Sequence, residues 1–359
     1  MTKTISLIIP TYNERDNIAP LLKRLENVLA NYSYETIFVD DNSADGTAEV
    51  AASLADKYPV RIIVRKDKRG LASAIVDGLS HVSGEIIAVM DADLQHPPEV
   101  LLDLVKGMDK GADMVIASRY VDGGSCPGWS LSRRLVSRGA IFLAHLLLPA
   151  TRQVNDPVSG FFIFNKEVVA GAELKPLGYK ILLEILTEGH FKRIAEVPYI
   201  FGTRNRGKSK LSASQQVAYL RHILSLMKRS GELLRFLKFC LVGISGVVVN
   251  MGLLWLLTER AGLFYLVSAT IGIETSITSN FILNNYFTFA SRRHPGVKSF
   301  LNQLLKFNVV SIVGIAINLA ILWVLTEVPG VFYLISNLFG IAAATLWNFL
   351  VNNWWTWKV

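Results

Sequence analysis

Charged residues are distributed very unevenly along the 359-residue chain, and this limits its fold more than any other feature. Residues 1–234 hold 26 of the 29 acidic and 29 of the 37 basic side chains. Residues 235–359 hold only 11 charges in 125 residues, whereas about a quarter of the residues in a soluble domain are charged. The sequence therefore predicts a soluble-like domain followed by a membrane domain. It excludes a purely secreted, purely cytosolic or disordered chain.

Four hydrophobic segments in the second part are long enough to cross a bilayer. Residues 239–258 and 307–326 are uncharged over 20 residues each, and about 20 apolar residues span the hydrocarbon core. We therefore predict a membrane domain over residues 231–359. Its four helices are expected near residues 237–258, 264–289, 305–326 and 331–357.

These segments repeat with a period of 68 residues and no gap. Leu237-Lys238-Phe239 recurs as Leu305-Lys306-Phe307, and Asn284-Asn285 recurs as Asn352-Asn353. Each repeat starts and ends on the same side of the membrane, so the two are parallel rather than inverted. The second part is thus predicted to be all-α, with two repeated hairpins.

The basic side chains that flank the segments predict the orientation. Arg260 is expected on the far side, and the others lie on the side of the first domain. The positive-inside rule places that domain and both termini in the cytoplasm, and Met1–Pro10 lacks the layout of a signal peptide. Glu274 and the paired asparagines lie near membrane depth, where they are either functional groups or helix–helix contacts.

Two global numbers add weaker constraints. The two cysteines fall one in each part of the chain, so no disulfide framework is expected and a reducing compartment fits. The net charge of +8 comes without a nucleic-acid-binding motif. No nucleic-acid partner is therefore expected.

In the first 120 residues, short apolar runs alternate with helical patterns, which predicts parallel βαβ units. Three of the predicted strands, residues 5–10, 36–39 and 85–90, end in polar side chains. Ligands of open α/β sheets bind beyond the carboxyl ends of the strands. We therefore expect these polar ends to meet at one crevice.

Asp91 and Asp93 are candidate metal ligands. Two carboxylates separated by one residue can point the same way, and Gln95 continues the series. Oxygen ligands suit Mg²⁺ or Mn²⁺, which keep one or two carboxylates and take further ligands from substrate phosphates. Asp45 is explained equally well as a helix cap, and His96 is interpreted as a loop residue without a partner. Phosphate-loop, dinucleotide and zinc motifs are absent from the sequence.

In combination, these motifs resemble family 2 glycosyltransferases with the GT-A fold, over about residues 4–230. The resemblance rests on residues 8–14, 39–47, 69–71 and 91–95. It implies an α/β, Rossmann-like glycosyltransferase domain over residues 1–230. It also implies that the base and ribose of a nucleotide lie against one group and the metal-diphosphate against another. The first group is Pro10, Tyr12, Glu14, Val39 and Asp41, and the second is Asp91, Ala92, Asp93 and Gln95.

Two basic, amphipathic segments, near residues 129–148 and 217–234, predict helices at the membrane surface. In the first segment, Arg133 and Ser137 share a face because they are four residues apart. The second leads directly into the first membrane helix. Packing of both segments on the sheet is the alternative interpretation.

A Gly-containing loop over residues 204–211 carries four cations. With Glu196-Val197-Pro198 before it, this loop resembles the polyprenyl-phosphate sugar synthases, and most closely the dolichyl-phosphate mannose synthases. The resemblance implies that donor and acceptor phosphates are handled by Arg119, Arg133, Ser137, Arg204 and Lys210, with Arg134 and Lys208 as open alternatives. The implied catalytic set is Asp93, Arg119, Arg133, Ser137 and Arg204. The nucleotide sugar would also contact Asp91, Ala92, Asp93, Arg119, Arg204 and Lys210.

A lipid phosphate acceptor fits this set chemically. A phosphate monoester has a second pKa near roughly 6, so it is anionic at neutral pH and needs positioning by arginines rather than a general base. The resemblance implies inverting, direct transfer of mannose from GDP-mannose to dolichyl (polyprenyl) phosphate, aided by Mg²⁺ or Mn²⁺. The membrane module resembles small four-helix proteins of bacterial lipid-linked glucosyl transfer. It either anchors a homo-oligomer or positions lipid, or it takes part in lipid flipping.

Three other functions are less consistent with the sequence. The same reaction with UDP-glucose or an aminoarabinose donor stays open, because these enzymes share the strand-end motifs. A processive polysaccharide synthase would need a Gln-x-x-Arg-Trp motif, which is absent. A non-enzymatic transporter or scaffold would not need the Asp91-x-Asp93-x-Gln95 set.

Overall fold

The computed structural model describes residues 4–67, 70–175, 177–202 and 213–358. The chain forms two compact units, Met1–Ser230 and Gly231–Val359. The first contains a seven-stranded sheet covered by helices, and the second contains four long apolar helices. The predicted fold class, a GT-A-like α/β domain followed by an all-α membrane domain, is confirmed.

The sheet of the first unit has the order β3-β2-β1-β4-β6-β5-β7. Its strands are β1 (Ile5–Thr11), β2 (Tyr34–Asp40), β3 (Val60–Val64), β4 (Ile86–Val89), β5 (Met114–Ser118), β6 (Phe162–Asn165) and β7 (Ile194–Pro198). Strands β1 to β4 are parallel, and β6 pairs antiparallel with both β4 and β5. Because β2 and β4 lie on opposite sides of β1, the strand order reverses beside β1, which is where ligands bind in such sheets.

Both faces of this sheet are covered, so its strands are apolar on both sides. In β1, Leu7 and Ile9 belong to one core and Ile8 to the other. The helices of the unit are α1 (Arg15–Val28), α2 (Thr47–Ser53), α3 (Leu71–Leu79), α4 (Val100–Asp109), α5 (Leu131–Leu147), α6 (Ile181–Glu188) and α7 (Ala213–Arg229). Polar groups are thereby left mainly at the ends of the strands.

The second basic segment differs from its prediction. Residues 217–234 were expected to lead directly into the first membrane helix. Instead, α7 ends at Arg229, and the next helix starts at Glu232. Gly231 adopts a φ of +76° between them, a backbone conformation that glycine adopts without steric cost.

The second unit contains α8 (Glu232–Trp255), α9 (Tyr265–Leu283), α10 (Val297–Glu327) and α11 (Tyr333–Val351). Single π-helical turns extend α8, α9 and α11, and all four helices are long and apolar enough to cross a membrane. Helix α10 starts at residue 297 rather than at the expected 305. At 1.5 Å per residue, its 31 residues reach about 46 Å, beyond the roughly 30 Å of a hydrocarbon core.

The 68-residue repeat is visible in the packing of this unit. A Cβ on Gly246 of α8 would collide with the Asn280 amide of α9, and a Cβ on Gly314 would collide with Asn348 in the same way. The paired asparagines at residues 284–285 and 352–353 are buried. The buried positions of the asparagines are compatible with the helix-contact interpretation, whereas Glu274 lies exposed on α9.

Candidate active site

Two adjoining cavities open at the carboxyl ends of the strands in the first unit. The first cavity, of about 600 Å³, is lined among others by Pro10, Tyr12, Glu14, Asp41 and Ala92. The second cavity, of about 540 Å³, is lined among others by Gln95, Arg119, Trp129, Arg133, Ser137 and Lys180. Asp91 and Asp93 line both. Two molecules bound in these cavities would meet at these two carboxylates.

The first cavity collects most of the residues expected to hold a nucleotide. Pro10, Tyr12, Glu14 and Asp41 line it, but Val39 does not. Val39 is fully buried in the core between the sheet and α3. Successive side chains of a strand alternate between the two faces of the sheet, and Val39 lies on the face that packs against α3, opposite to that of Phe38.

Asp41 is fixed at this cavity by two groups, Arg65 and the backbone of Gly70. Arg65 forms an ion pair with Asp41 Oδ1, and the backbone N–H of Gly70 donates to Asp41 Oδ2 over 2.7 Å. The Arg65 guanidinium also donates to Ser73 Oγ and Asp77 Oδ2. Asp41 is thus held rigidly at the cavity wall. Arg65 carries no motif of its own, and only its place at the end of β3 hints at this role.

The loop from Asp91 to His96 is held by hydrogen bonds on both sides. The Gln95 N–H donates to Asp93 Oδ1 over 3.1 Å. Gln95 Nε2 donates to the Gly202 carbonyl over 3.0 Å, and the Gly202 N–H donates to the Gln95 carbonyl over 2.8 Å. Leu94 has a φ of +60°, an uncommon conformation for a non-glycine residue. These bonds maintain that conformation.

His96 is a part of this site that was misjudged from the sequence. It is 2% exposed, and its Nδ1 accepts a hydrogen bond of 3.0 Å from the Asp91 N–H. Phe161 stacks on the ring, and Tyr199 and Phe201 contact it edge-on. Burial lowers the pKa of His96, against the opposing effect of the Asp91 and Asp93 carboxylates. A neutral ring with an unprotonated Nδ1 suits the acceptor role, so His96 supports Asp91 and is not a loop residue without a partner.

The residues Asp91, Asp93 and Gln95 fit a hard divalent cation. Asp91 is 35% exposed at its side chain and faces the wall common to both cavities, where Asp93 joins it. Within the described ranges, no three His, Cys, Asp or Glu side chains form a closed metal cluster. An open set of two carboxylates is the usual protein contribution to Mg²⁺, which completes its shell with substrate phosphates and water.

Arg119 enters the second cavity with its charge already paired. Its Nε and Nη2 lie 2.7 Å from Oδ2 and Oδ1 of Asp156, which is fully buried. Burial alone would lower the pKa of Arg119, but the Asp156 carboxylate outweighs burial and raises it. Glu196 of β7 accepts hydrogen bonds from the N–H groups of Asn155 and Asp156. The turn that presents Asp156 is thereby fixed.

The first turns of α5 supply two more of the expected phosphate ligands, Arg133 and Ser137. Arg133 lies over the Trp129 ring, with the guanidinium carbon 4.2 Å from the ring centroid. The Tyr120 hydroxyl donates to Ser137 Oγ over 2.9 Å. Arg133 and Ser137 both line the second cavity, whereas Arg134 donates to the Cys126 carbonyl and does not line it.

Other lining residues were not anticipated from the sequence. Tyr179 and Lys180 precede α6, and Gln215 and Tyr219 belong to α7. No sequence motif marks these residues. They reach the cavity through the packing of α6 and α7, which a short sequence pattern does not reveal. Arg204, Lys208 and Lys210, which were expected to bind phosphate, lie outside the described residues.

Two family models match the chain. Glycosyl transferase family 2 matches residues 6–171, and the GtrA/DPMS transmembrane domain matches residues 238–357. The second match and the four apolar helices identify a membrane protein. The two matched regions fall in the two structural units.

The fold resembles that of a solved enzyme. The glucosyl-3-phosphoglycerate synthase of Mycobacterium tuberculosis, in complex with Mn²⁺, UDP-glucose and phosphoglyceric acid, aligns with a TM-score of 0.50 at 21% identity. The alignment covers 64% of this chain and 80% of that one. At this identity the likeness concerns the fold alone.

Three similar proteins are named dolichol-phosphate mannosyltransferases. The one from Pyrococcus furiosus is 44% identical over 353 residues, which cover 98% of this chain and 99% of that one. Those from Mycosarcoma maydis and Saccharomyces cerevisiae are 39% and 38% identical over 63% of this chain, and cover 80% and 88% of their own lengths. The chain therefore belongs to the dolichol-phosphate mannosyltransferase family.

Proposed function

We propose that this chain transfers mannose from GDP-mannose to dolichyl phosphate with inversion, which gives dolichyl β-D-mannosyl phosphate and GDP. The observation that carries the proposal is the match to the Pyrococcus furiosus enzyme over nearly the whole of both chains. A match of the first unit alone would be compatible with many sugars and acceptors. Here the membrane unit matches as well, as expected for an enzyme with a lipid acceptor.

The first cavity would bind the nucleotide of the donor. Pro10, Tyr12 and Glu14 line one part of it, and Asp41 is held in place by Arg65 and Gly70. A fixed carboxylate can accept hydrogen bonds from a base or from ribose hydroxyls. The donor diphosphate would then extend toward Asp91 and Asp93, which line the same cavity.

Asp91, Asp93 and Gln95 would hold Mg²⁺ or Mn²⁺. When bound, such an ion acts as a Lewis acid that stabilises the departing nucleoside diphosphate. The contribution of the chain is to orient Asp91 through His96 and to fix Asp93 and Gln95 in the hydrogen-bonded loop. We expect an Asp93→Asn variant to lose at least about 100-fold in transfer, and the exposed Asp103→Asn variant to keep its activity.

The second cavity would bind the acceptor phosphate. Arg133 and Ser137 line it beside Arg119, which Asp156 orients. Because the acceptor is already anionic, these residues need only position it and reduce its repulsion from the donor diphosphate. Because the two cavities have Asp91 and Asp93 in common, substrates bound in them would lie side by side. Direct displacement without a covalent enzyme intermediate is the mechanism that suits this arrangement.

The membrane unit would keep the enzyme where its lipid acceptor is found. Under the positive-inside rule, the basic residues that flank its four helices support a cytoplasmic position for both termini and the first unit. Protease accessibility of the first unit in sealed, right-side-out membrane vesicles tests this orientation. Protection of the first unit supports the proposal, and its digestion contradicts it.

The reaction is tested with purified full-length protein and dolichyl phosphate. Radiolabelled GDP-mannose and UDP-glucose are compared, with and without Mn²⁺, and the lipid product is counted. We expect label from GDP-mannose in the lipid fraction. Preference for UDP-glucose, or for an aminoarabinose donor on undecaprenyl phosphate, would contradict the proposal in favour of the related lipid-linked sugar synthases.

A further inference from the structure

Lys180 is a cation of the second cavity to which neither the sequence motifs nor the proposed function assigns a role. It lies directly before α6 and lines the cavity together with Arg119 and Arg133. Its Nζ donates a hydrogen bond of 2.7 Å to the Val158 carbonyl, which fixes the direction of the side chain. Its Nζ also lies 5.0 Å from the centroid of the Tyr179 ring.

Lys180 and Arg119 are both positively charged, but they differ in how far a bonded group neutralises that charge. Arg119 directs two of its donor atoms to Asp156 in a bidentate ion pair, so the pair is nearly neutral. An ammonium has three donors, and the Val158 carbonyl accepts from one of them. Carbonyl oxygens carry no net charge. The positive charge of Lys180 is therefore not cancelled by this contact.

We propose that the Lys180 ammonium binds the acceptor phosphate in the second cavity, as a ligand in addition to Arg119, Arg133 and Ser137. The proposal rests on the proposed function, because that function assigns the second cavity to a lipid phosphate. A phosphate dianion offers more acceptor oxygens than two arginines and a serine occupy. A compact ammonium can approach one of these oxygens as a point charge.

The electrostatic surroundings of Lys180 support this role and predict a measurable pH dependence of phosphate binding. Burial and the positive charges of Arg119 and Arg133 lower the pKa of Lys180 to about 8, although the Asp156 and Asp91 carboxylates oppose the shift. Burial lowers the pKa of the nearby His96, which favours its neutral ring. A bound phosphate dianion would favour the ammonium and raise the pKa again. Binding should therefore take up a proton near pH 8 and weaken by about tenfold per pH unit above it.

Calorimetric titration of farnesyl phosphate into the detergent-solubilised full-length protein tests the proposal without any sugar donor. In wild type, we expect proton uptake at pH 8, seen as a difference in heat between two buffers of unlike ionisation enthalpy. Lys180→Gln should bind about tenfold more weakly at pH 7, as expected for loss of a charge-assisted hydrogen bond. Lys180→Arg should bind well at pH 7 and show no weakening up to pH 9, because guanidinium does not titrate there.

Lys166→Gln is the matched control, because the Lys166 ammonium also donates to a backbone carbonyl, that of Val82 at 3.4 Å, and does not line either cavity. It should bind like wild type. Wild-type affinity in Lys180→Gln, or an unchanged pH profile in Lys180→Arg, would overturn the proposal. So would a loss of GDP affinity in Lys180→Gln with farnesyl phosphate binding unchanged, since Lys180 would then serve the donor.

The same titration separates this proposal from the proposed function. If wild type binds farnesyl phosphate in a Lys180-dependent manner but transfers no mannose, only the assignment of the sugar fails. If wild type binds it and Lys180→Gln binds it equally well, only the role of Lys180 fails. If wild type does not bind farnesyl phosphate at all, both fail.

Discussion

Arg119 and Asp156 form a bidentate ion pair in which two guanidinium nitrogens each lie 2.7 Å from a different carboxylate oxygen. The two side chains are 6% and 0% exposed. Such planar, paired contacts fix the orientation of an arginine as well as its position. The direction in which Arg119 faces the second cavity therefore depends on a turn 37 residues away in the sequence.

Replacing Asp156 by Asn should destabilise the first unit strongly. Removal of one partner leaves a buried charge without compensation, at a cost of about 3 kcal/mol or more. For a domain of this size, that corresponds to a lower midpoint of thermal unfolding by roughly 6–12 °C. Scanning calorimetry of the full-length protein checks this, and mannose transfer should fall in parallel.

The double variant Arg119→Gln with Asp156→Asn separates stability from activity. It contains no unpaired buried charge, so much of the lost stability should return while transfer stays low. An unchanged unfolding midpoint in the single Asp156→Asn variant would show that the pair does not stabilise the unit.

Replacing His96 by Leu should impair the metal site without removing a metal ligand. Leucine keeps apolar volume within the aromatic cage but leaves the Asp91 N–H without its acceptor, which costs about 1–3 kcal/mol. We expect transfer to fall by at least about tenfold and half-maximal activation to require more Mn²⁺. Titration of activity with MnCl₂ measures this. His81→Leu, at an exposed histidine, is the control, and equal Mn²⁺ requirements in both variants would contradict the role of His96.

Glu184 should stabilise the first unit in a pH-dependent way. It is fully buried on α6, with Oε1 3.0 Å from His222 Nε2 and Oε2 3.0 Å from Arg229 Nη1, both on α7. Burial alone would raise the pKa of Glu184, but the hydrogen bond from His222 and the charge of Arg229 outweigh it and lower the pKa. The stabilisation is therefore present above the ordinary pKa of about 4.3. It is lost as the pH falls through the lower folded-state value.

Glu184→Gln should lower the unfolding midpoint by roughly 4–8 °C at neutral pH, which corresponds to about 2 kcal/mol. The difference from wild type should shrink below about pH 4. Thermal scans over a pH series provide the measurement. Glu173→Gln, at an exposed glutamate paired with Lys175, should have little effect at any pH. A difference that persists in acid would rule out the charge of Glu184 as the cause.

Gly246 and Gly243 on α8 should respond very differently to the same substitution. A Cβ at Gly246 would overlap the Asn280 amide of α9, whereas a Cβ at Gly243 would meet nothing within 4 Å. Gly246→Val should therefore destabilise the membrane unit by about 1–3 kcal/mol, and Gly243→Val should be tolerated. Thermal unfolding in detergent compares the two. Gly314→Val should reproduce Gly246→Val in the second repeat, and tolerance at both sites would contradict this packing.

Structural features that follow from local or repeated sequence patterns could be predicted from the sequence. The strand-end carboxylates Asp91 and Asp93 follow a buried strand, and topology alone brings them to the crevice. The 68-residue repeat predicted the membrane helices because equivalent residues such as Phe281 and Phe349 occupy equivalent places in the core. The observed helix bounds differ from the predicted ones where a local signal was missed, as at Gly231.

Contacts between distant segments could not be predicted in this way. His96 looked isolated because its cage comes from residues 161, 199 and 201. Lys180 has no motif, since its place depends on where α6 starts. Val39 shows the same limit, because the resemblance gives its position on a strand but not the face of the sheet on which its side chain lies; its contact with the nucleotide stays a prediction.

The hydrogen-bonded loop from Asp91 to His96 also has a thermodynamic consequence. Each residue that stayed mobile until a substrate arrived would add roughly 1–2 kcal/mol of conformational entropy loss to binding. In this loop the bonds to Gly202 and His96 order the backbone as the chain folds. Because the side chains expected to bind the metal are already held in place, the free energy of substrate association is not spent on ordering this loop. It can instead orient the reacting groups.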